Sequence, residues 1–166
     1  MKRLILPLPL IAAACTVVPP PPPQIAAPKP VPVPVVVPPR PSGPVDWRDK
    51  PYTPGVWHYA DRAATYGPDG APALFTMQCD LSRRLVIISV AGNVPTLTIR
   101  TSYAERNWPA QTGANGRSQI SFTATDPALD QIAFSRGRFS VAGPGLAEID
   151  IPAWAEPSRV IEDCRS

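Results

Sequence analysis

Proline is so frequent between residues 17 and 54 that this part of the chain cannot build a folded core. Fifteen of the 25 prolines lie there, including an unbroken run at residues 19–23. Between residues 16 and 45 there is no aromatic residue, and only Lys29 and Arg40 are charged. Such a composition buries little apolar surface and favours extended polyproline II structure. About 30 residues at roughly 3.1 Å each would reach on the order of 90 Å, so we expect a disordered but semi-rigid spacer.

The first fifteen residues have the organisation of a secretory signal. The positive start, Met1-Lys2-Arg3, precedes an apolar stretch at residues 4–11 and small residues at 12–14 that end on Cys15. The apolar stretch is too short to cross a bilayer, which needs roughly 20 residues. The segment resembles a bacterial lipobox, in which the cysteine is diacylated and becomes the first residue of the mature chain. We therefore expect residues 1–14 to be a lipoprotein signal peptide. The alternative is an ordinary cleaved signal with an incidental cysteine.

Lipidation of Cys15 also predicts where the protein resides. Two acyl chains hold a protein stably on a membrane, whereas one gives only reversible attachment. The next residue is Thr16, and not the aspartate that retains lipoproteins in the inner membrane of well-studied envelopes. We expect a membrane anchor on the periplasmic side of the cell envelope, in the outer membrane in preference to the inner one.

The predicted organisation is a lipidated spacer at residues 15–51 followed by an extracytoplasmic domain at residues 52–166. The spacer has an alternative role in recognition, because Pro38-Pro39-Arg40-Pro41 has the form of a ligand for proline-binding modules. Those modules are mostly intracellular, whereas this segment is expected outside the cytoplasm. We therefore favour a spacer.

The charge of the domain does not imply a nucleic-acid partner. The whole chain has a formal net charge of +3, but four of its basic residues precede residue 46. From residue 46 onward there are 12 lysines and arginines against 13 aspartates and glutamates. The folded part is therefore close to neutral, and neither nucleic acid nor acidic lipid is indicated as a partner.

Two cysteines remain in the domain, Cys79 and Cys164. In an oxidising compartment such a pair usually forms a disulfide bond. Neither CxxC spacing nor a histidine cluster accompanies them, so a metal or redox role is not indicated. We predict a disulfide that closes a loop of about 85 residues and stabilises the domain by roughly 4 to 5 kcal/mol in the chain-entropy model.

Short apolar and alternating segments predict a β-rich domain. The predicted strands occupy residues 74–79, 85–91, 96–101, 119–124, 138–142 and 146–151. Gly143-Pro144-Gly145 predicts a hairpin turn between the last two strands. In this hairpin Glu148 and Asp150 should lie in water. Four apolar side chains should face one another across it: Phe139, Val141, Ile149 and Ile151.

Two short helices are also predicted. Asp126 is suited to cap the first, with Pro127 in the first helical position. Pro157 would open the second, which brings Cys164 back to the sheet at Cys79. The chain has no alternating βαβ pattern. It therefore predicts a mainly β fold, a small antiparallel β-sandwich or sheet with one or two short helices.

No residue is predicted to be catalytic, and no metal or cofactor is predicted. His58 is the only histidine, and its aromatic neighbours favour a packed or surface residue over a general base. The chain has no P-loop, GxSxG or dinucleotide-binding motif. The residue types of a Ser–His–Asp triad are all present, but nothing singles out its serine. Paired carboxylates are the other route to an enzyme, a glycan hydrolase. The candidate carboxylates are Asp126, Asp130, Glu148, Asp150, Glu156, Glu162 and Asp163.

Arg136 and Arg138 are the candidate binding residues. Two arginines beside a glycine could bind a carboxylate or phosphate, or a partner that carries one. A structural role is the favoured interpretation, since the same arginines could pair with Asp130, Glu162 or Asp163 and fix the carboxyl-terminal helix to the sheet.

The large aromatic residues are a second candidate surface, for a sugar or a peptide. Packing of the core and hairpins is the favoured alternative. The residues in question are Trp47, Trp57, Trp108, Trp154, Tyr52, Tyr59, Tyr66 and Tyr103.

Three segments are similar to a pattern in uncharacterised envelope lipoproteins of alphaproteobacteria. They are residues 126–139 (DPALDQIAFSRGRF), 152–156 (PAWAE) and 159–165 (RVIEDCR), together with Trp57 and Cys79. The resemblance covers most of the domain, but that family has no established activity to carry over. More loosely, the layout resembles small periplasmic β-sandwich domains associated with type VI secretion or invasion, which implies a sandwich.

These observations lead to two functional hypotheses of different classes. The first is a lipid-anchored envelope protein with a binding or structural, accessory role, whose partner is peptidoglycan or an envelope protein. The alternative is a hydrolase that acts on envelope glycan or peptide. Converging carboxylates, or a histidine in a cleft, would favour the hydrolase.

Overall fold

Six antiparallel strands form the larger of two sheets. The structure, a computed structural model, describes residues 45–113 and 116–166. Because side chains alternate between the faces of a strand, one face of this sheet is apolar. In spatial order its strands are β1 (Val56–Ala60), β2 (Ala63–Gly67), β3 (Phe75–Asp80), β4 (Leu85–Val90), β8 (Ser118–Thr123) and β7 (Gln111–Thr112).

Four antiparallel strands form the smaller sheet. In spatial order they are β10 (Ile149–Pro152), β9 (Arg138–Ala142), β5 (Thr96–Arg100) and β6 (Glu105–Pro109). The chain passes from the smaller to the larger sheet at Ala110, which separates β6 from β7. The N–H of Ala110 donates to the Pro95 carbonyl at 2.8 Å and fixes this crossing.

The core lies between the two sheets. A row of apolar side chains, each no more than 4% exposed, crosses the larger sheet: Ala64, Met77, Ile88 and Ile120. Aromatic contacts join the sheets, with ring centroids 5.5 Å apart for Phe75 and Phe139 and 5.4 Å apart for Trp108 and Phe122. The predicted mainly β fold, with antiparallel sheets and two short helices, is confirmed.

The helices begin close to their predicted positions. In α1 (Pro127–Ala133) the Asp126 side chain accepts a hydrogen bond from the Ala128 N–H at 2.8 Å, as expected of an N-cap. Helix α2 (Ala155–Arg165) begins two residues before Pro157. It packs on the larger sheet and on α1.

Cys79 of β3 and Cys164 of α2 form the predicted disulfide, with Cα atoms 5.4 Å apart. Both cysteines are buried. An ion pair of 2.9 Å between Arg165 and Asp130 ties α2 to α1 as well. The carboxyl-terminal helix is therefore fixed both covalently and electrostatically.

The predicted hairpin forms, but the environment predicted for one of its side chains is wrong. Val141 lies opposite Ile149, and Phe139 lies opposite Ile151, as expected. The prediction that Asp150 lies in water is wrong, since this residue is only 6% exposed. A segment distant in sequence covers it.

The covering segment is residues 45–54, called here the N-terminal arm. The Thr53 N–H donates to the Asp150 carbonyl, and the Asp150 N–H donates to Thr53 Oγ1, both at 2.9 Å. Lys50 Nζ lies 2.6 Å from Glu148 Oε2. Thr53 therefore pairs with the open edge of β10, whereas Trp47 and Lys50 lie over the polar side chains on the outer face of the smaller sheet.

The arm begins before the predicted domain boundary at residue 52. Trp47 and Lys50, assigned to the spacer from their sequence, contact the domain because it offers charged partners for them. The predicted signal peptide, Cys15 and residues 16–44 of the spacer lie outside the described residues.

Asp150 predicts how stability depends on pH. Burial, and then the nearby Glu148 carboxylate, raise the pKa of Asp150 above its ordinary value of 3.8, although Lys50 and Arg138 act in the opposite direction. The folded protein therefore takes up this proton at a higher pH than the unfolded chain does. In consequence, the contribution of Asp150 to stability rises as the pH falls through that interval.

Asp150→Asn should mimic the protonated side chain. We expect the variant to melt a few degrees above the wild type near neutral pH, and the difference to shrink as the pH approaches 3.8. Thermal melts of both proteins across this range measure the difference. Glu148, whose pKa is lowered by Lys50, titrates in both proteins, but it is coupled to Asp150, so the difference between the melts reports on the two carboxylates together. A difference in melting temperature that stays constant across this pH range would contradict the prediction.

Candidate binding surface

His58 lies at the surface, on the edge strand β1. Its side chain is 61% exposed, and its Nε2 lies 3.6 Å from Oδ1 of Asp69, whose side chain is 84% exposed. This position agrees with a surface residue. Within residues 45–113 and 116–166, no three histidine, cysteine or carboxylate side chains are grouped as metal ligands would be.

Glu148 and Asp150 come closest to a catalytic pair of carboxylates. A hydrogen bond from Lys50 lowers the pKa of Glu148, whereas burial raises the pKa of Asp150. Opposite shifts of this kind separate acid and base roles in glycosidases. Here Glu148 also accepts a hydrogen bond from Ser140 Oγ at 2.8 Å, and the N-terminal arm covers Asp150. The Glu148 carboxylate holds the arm through Lys50, and Asp150 holds it through its backbone N–H and carbonyl.

Arg138 is buried beneath the same arm. It is 8% exposed, and its guanidinium carbon lies 4.3 Å from the centre of the Tyr52 ring. Its Nη1 donates to the Trp47 carbonyl at 3.3 Å and also to the Lys50 carbonyl. A guanidinium suits this position because it can stack on a ring and donate in its own plane. The contacts of Arg138 fix the arm to β9.

Arg136, in contrast, is exposed. The two predicted binding arginines therefore lie in different environments and do not form one anion site. Of the carboxylates considered as their partners, Asp130 pairs with Arg165 at 2.9 Å and Asp163 accepts from a tyrosine hydroxyl. Arg136 is the member of the pair that a partner can reach.

Next to Arg136 lies an exposed aromatic surface. Tyr103, in the turn between β5 and β6, is 58% exposed, and Phe134, at the end of α1, is 62% exposed. Together with Asp130 and Gln131 they line an open depression of about 330 Å³. We call these four residues the aromatic patch.

Hydrogen bonds hold the two segments of the patch together from below. The Ser102 N–H donates to Ser135 Oγ at 2.8 Å, and the Arg136 N–H donates to Ser102 Oγ at 2.9 Å. Ser135 is 4% exposed and donates in turn to the Arg138 carbonyl. The backbone beneath the exposed rings is therefore fixed, and a partner would lose little entropy in ordering it.

The sequence analysis included Tyr103 among the candidate surface aromatics, with packing favoured for the group, and it missed Phe134. Of the eight aromatic residues considered, four pack in or against the core, namely Trp57, Tyr59, Tyr66 and Trp108, whereas Tyr52, Tyr103 and Trp154 are exposed. Trp57, for example, is 8% exposed and donates from its indole to the Pro152 carbonyl at 3.0 Å. The signal for Phe134 is its position after the buried residues Ile132 and Ala133, where α1 ends and its apolar stripe stops.

Comparison with known proteins gives no family assignment. No protein-family model matches the chain, and no curated protein or solved structure matches it either. In the part of the chain that the structure describes, none of the helices has the length and apolar character required to cross a bilayer.

Proposed function

We propose that this protein is a lipid-anchored accessory protein of the cell envelope that binds a protein partner through the aromatic patch. The proposed anchor is lipid on Cys15, on the periplasmic side and preferentially in the outer membrane. The proline-rich spacer would hold the domain away from the membrane. The signal-like residues 1–15 and the composition of residues 16–44 support this part of the proposal.

The aromatic patch carries the binding part of the proposal. An exposed apolar patch on a folded domain often marks an interaction site, and Tyr103 and Phe134 form such a patch on a hydrogen-bonded base. Tyrosine, phenylalanine and arginine are enriched at the centre of protein interfaces, and the patch adds Arg136 at its border. This composition favours a protein partner over peptidoglycan.

A hydrolase is the alternative that the sequence leaves open. Glu148 and Asp150 are the described carboxylates that would serve it, and the arm over them disfavours access by a substrate. We therefore place the hydrolase second.

The double variant Tyr103→Ala, Phe134→Ala tests the binding proposal. In-cell crosslinking followed by pull-down should recover a discrete envelope protein with the wild type and about tenfold less of it with the variant, because alanine removes both anchor rings. The melting temperature should change little, since both rings are exposed. Trp154→Ala, a control at a ring that is also 58% exposed, should retain the partner.

Two results would contradict the proposal. A partner that the double variant retains would show that the patch is not its binding surface. Recovery of sacculus fragments alone would identify peptidoglycan as the ligand. A Cys15→Ala control distinguishes partners that need the anchored protein from those that bind it in solution.

A further inference from the structure

One edge of the larger sheet leaves part of a strand without a neighbour. Strand β7 has only two residues, and they pair with Ser118 and Gln119. Residues 120–123 of β8 have no strand beside them within residues 45–113 and 116–166. The side of β8 that faces β4 is fully paired, so the open side is the outer one.

Strand alternation decides which backbone groups face the open side. In an antiparallel sheet, successive residues turn their N–H and C=O groups to opposite neighbours. The Ala124 N–H donates to the Arg84 carbonyl at 2.9 Å, on the β4 side, so the even-numbered residues of β8 face β4. Ser121 and Thr123 therefore direct their N–H groups outward. The Ser121 carbonyl also points outward. The Thr123 carbonyl already accepts from the Asp126 N–H at 2.9 Å.

The chain's own neighbouring segment cannot complete this edge. Continuing the register of β7 with β8 would place Pro109 opposite Ser121. Proline has no N–H to offer, and Pro109 belongs to β6 in the other sheet. A cleft of about 300 Å³ remains at this point, lined by both residues and by the polar side chains of Gln111 and Gln119.

Strand β8 also lacks the charges with which sheet edges usually prevent pairing. Its sequence, SQISFT, contains no lysine, arginine, aspartate or glutamate, whereas natural edges often carry such residues against unwanted strand addition. The cleft has one charged residue in its lining, Arg83, so its charge suits an acidic ligand.

We propose that this edge binds an extended, acidic peptide segment of a partner protein by strand addition. The segment would lie beside β8, exchange hydrogen bonds with Ser121 and Thr123, and place a carboxylate against Arg83. Backbone pairing supplies affinity in this mode, and the side-chain contacts supply selectivity. The site shares no residue with the aromatic patch and does not depend on the function proposed for it.

Amide hydrogen exchange on the full-length protein is the first test. The N–H groups of Ser121 and Thr123 should exchange fast, whereas those of Ile120 and Phe122, which face β4, should be protected. Protection of all four in the free protein would mean that the edge is already covered, and would overturn the proposal. If that protection decreased when the protein was diluted, the edge would be paired with a second copy of the chain.

Selection from random decapeptides displayed on phage is the second test. Peptides enriched on the full-length protein should contain acidic residues and should protect the Ser121 and Thr123 amides when bound. Methylation of the peptide's backbone nitrogens that face β8 should weaken binding about tenfold by removing hydrogen bonds while leaving the protein unchanged. Ser121→Pro should weaken it similarly.

Reversing the charge of single arginines distinguishes specific binding at this edge from general electrostatic attraction of acidic peptides to the protein. Arg83→Glu should weaken binding of the acidic peptides several-fold, whereas Arg62→Glu, at the β1–β2 turn of the same sheet, should not. Failure to enrich peptides, equal loss with both reversals, or insensitivity to methylation would each overturn the proposal. None of these results depends on the aromatic patch.

Discussion

Cys79→Ser is expected to lower the free energy of unfolding of the oxidised protein by about 4 to 5 kcal/mol. The disulfide joins residues 85 positions apart, so its loss releases a long loop in the unfolded chain and raises the entropy of that state. Domains of this size are usually stable by only about 5 to 15 kcal/mol. The melting temperature should therefore fall by roughly 15 °C or more.

Urea unfolding with and without reductant measures this effect. Reductant should destabilise the wild type by a similar amount and leave the double variant Cys79→Ser, Cys164→Ser unchanged. A wild-type transition that does not move with reductant would contradict a stabilising bond between the two cysteines. Cys15 does not enter the comparison, because both proteins carry the same residue there.

Phe75→Ala should produce the second large loss, about 3 to 5 kcal/mol. Phe75 is fully buried at 0% exposure. Its ring contacts Phe139 of the other sheet at 5.5 Å and Trp57 at 5.9 Å between centroids. Truncation removes the burial energy of the ring and leaves a cavity between the sheets that rigid strands cannot fill.

Phe134→Ala is the matched control for this variant. The same chemical change at a ring that is 62% exposed should alter the free energy of unfolding by less than about 0.5 kcal/mol. Equal losses at the two positions would mean that the sheets do not pack through Phe75. The pair of variants thus measures the contribution of the inter-sheet core.

Local patterns predicted the elements whose stability is local. The alternation in β5 and β8, the turn at Gly143-Pro144-Gly145 and the cap at Asp126 all agree with the structure, because each depends on residues within a few positions. The disulfide was predictable for another reason: the domain has only two cysteines, so one pairing was possible.

The environment of Asp150 could not be read from the sequence in the same way. Alternation places it on the polar face of β10, and it is there, but the N-terminal arm then buries it. Lys50 and Glu148, whose ion pair helps to hold the arm, are 98 positions apart. No local pattern shows that a segment next to a proline-rich stretch returns to the domain.

Both proposed binding sites depend on how segments distant in sequence are arranged in the fold. The aromatic patch forms because Ser102 and Ser135, 33 positions apart, are hydrogen-bonded in the fold. The open edge at Ser121 exists because the chain changes sheets after Pro109. The sequence by itself determined the β-rich class, the hairpin, the helix cap and the disulfide, since these follow from periodicity and residue type. Only the tertiary structure decided which polar groups are buried and which apolar ones are exposed, because contacts between distant segments set solvent access.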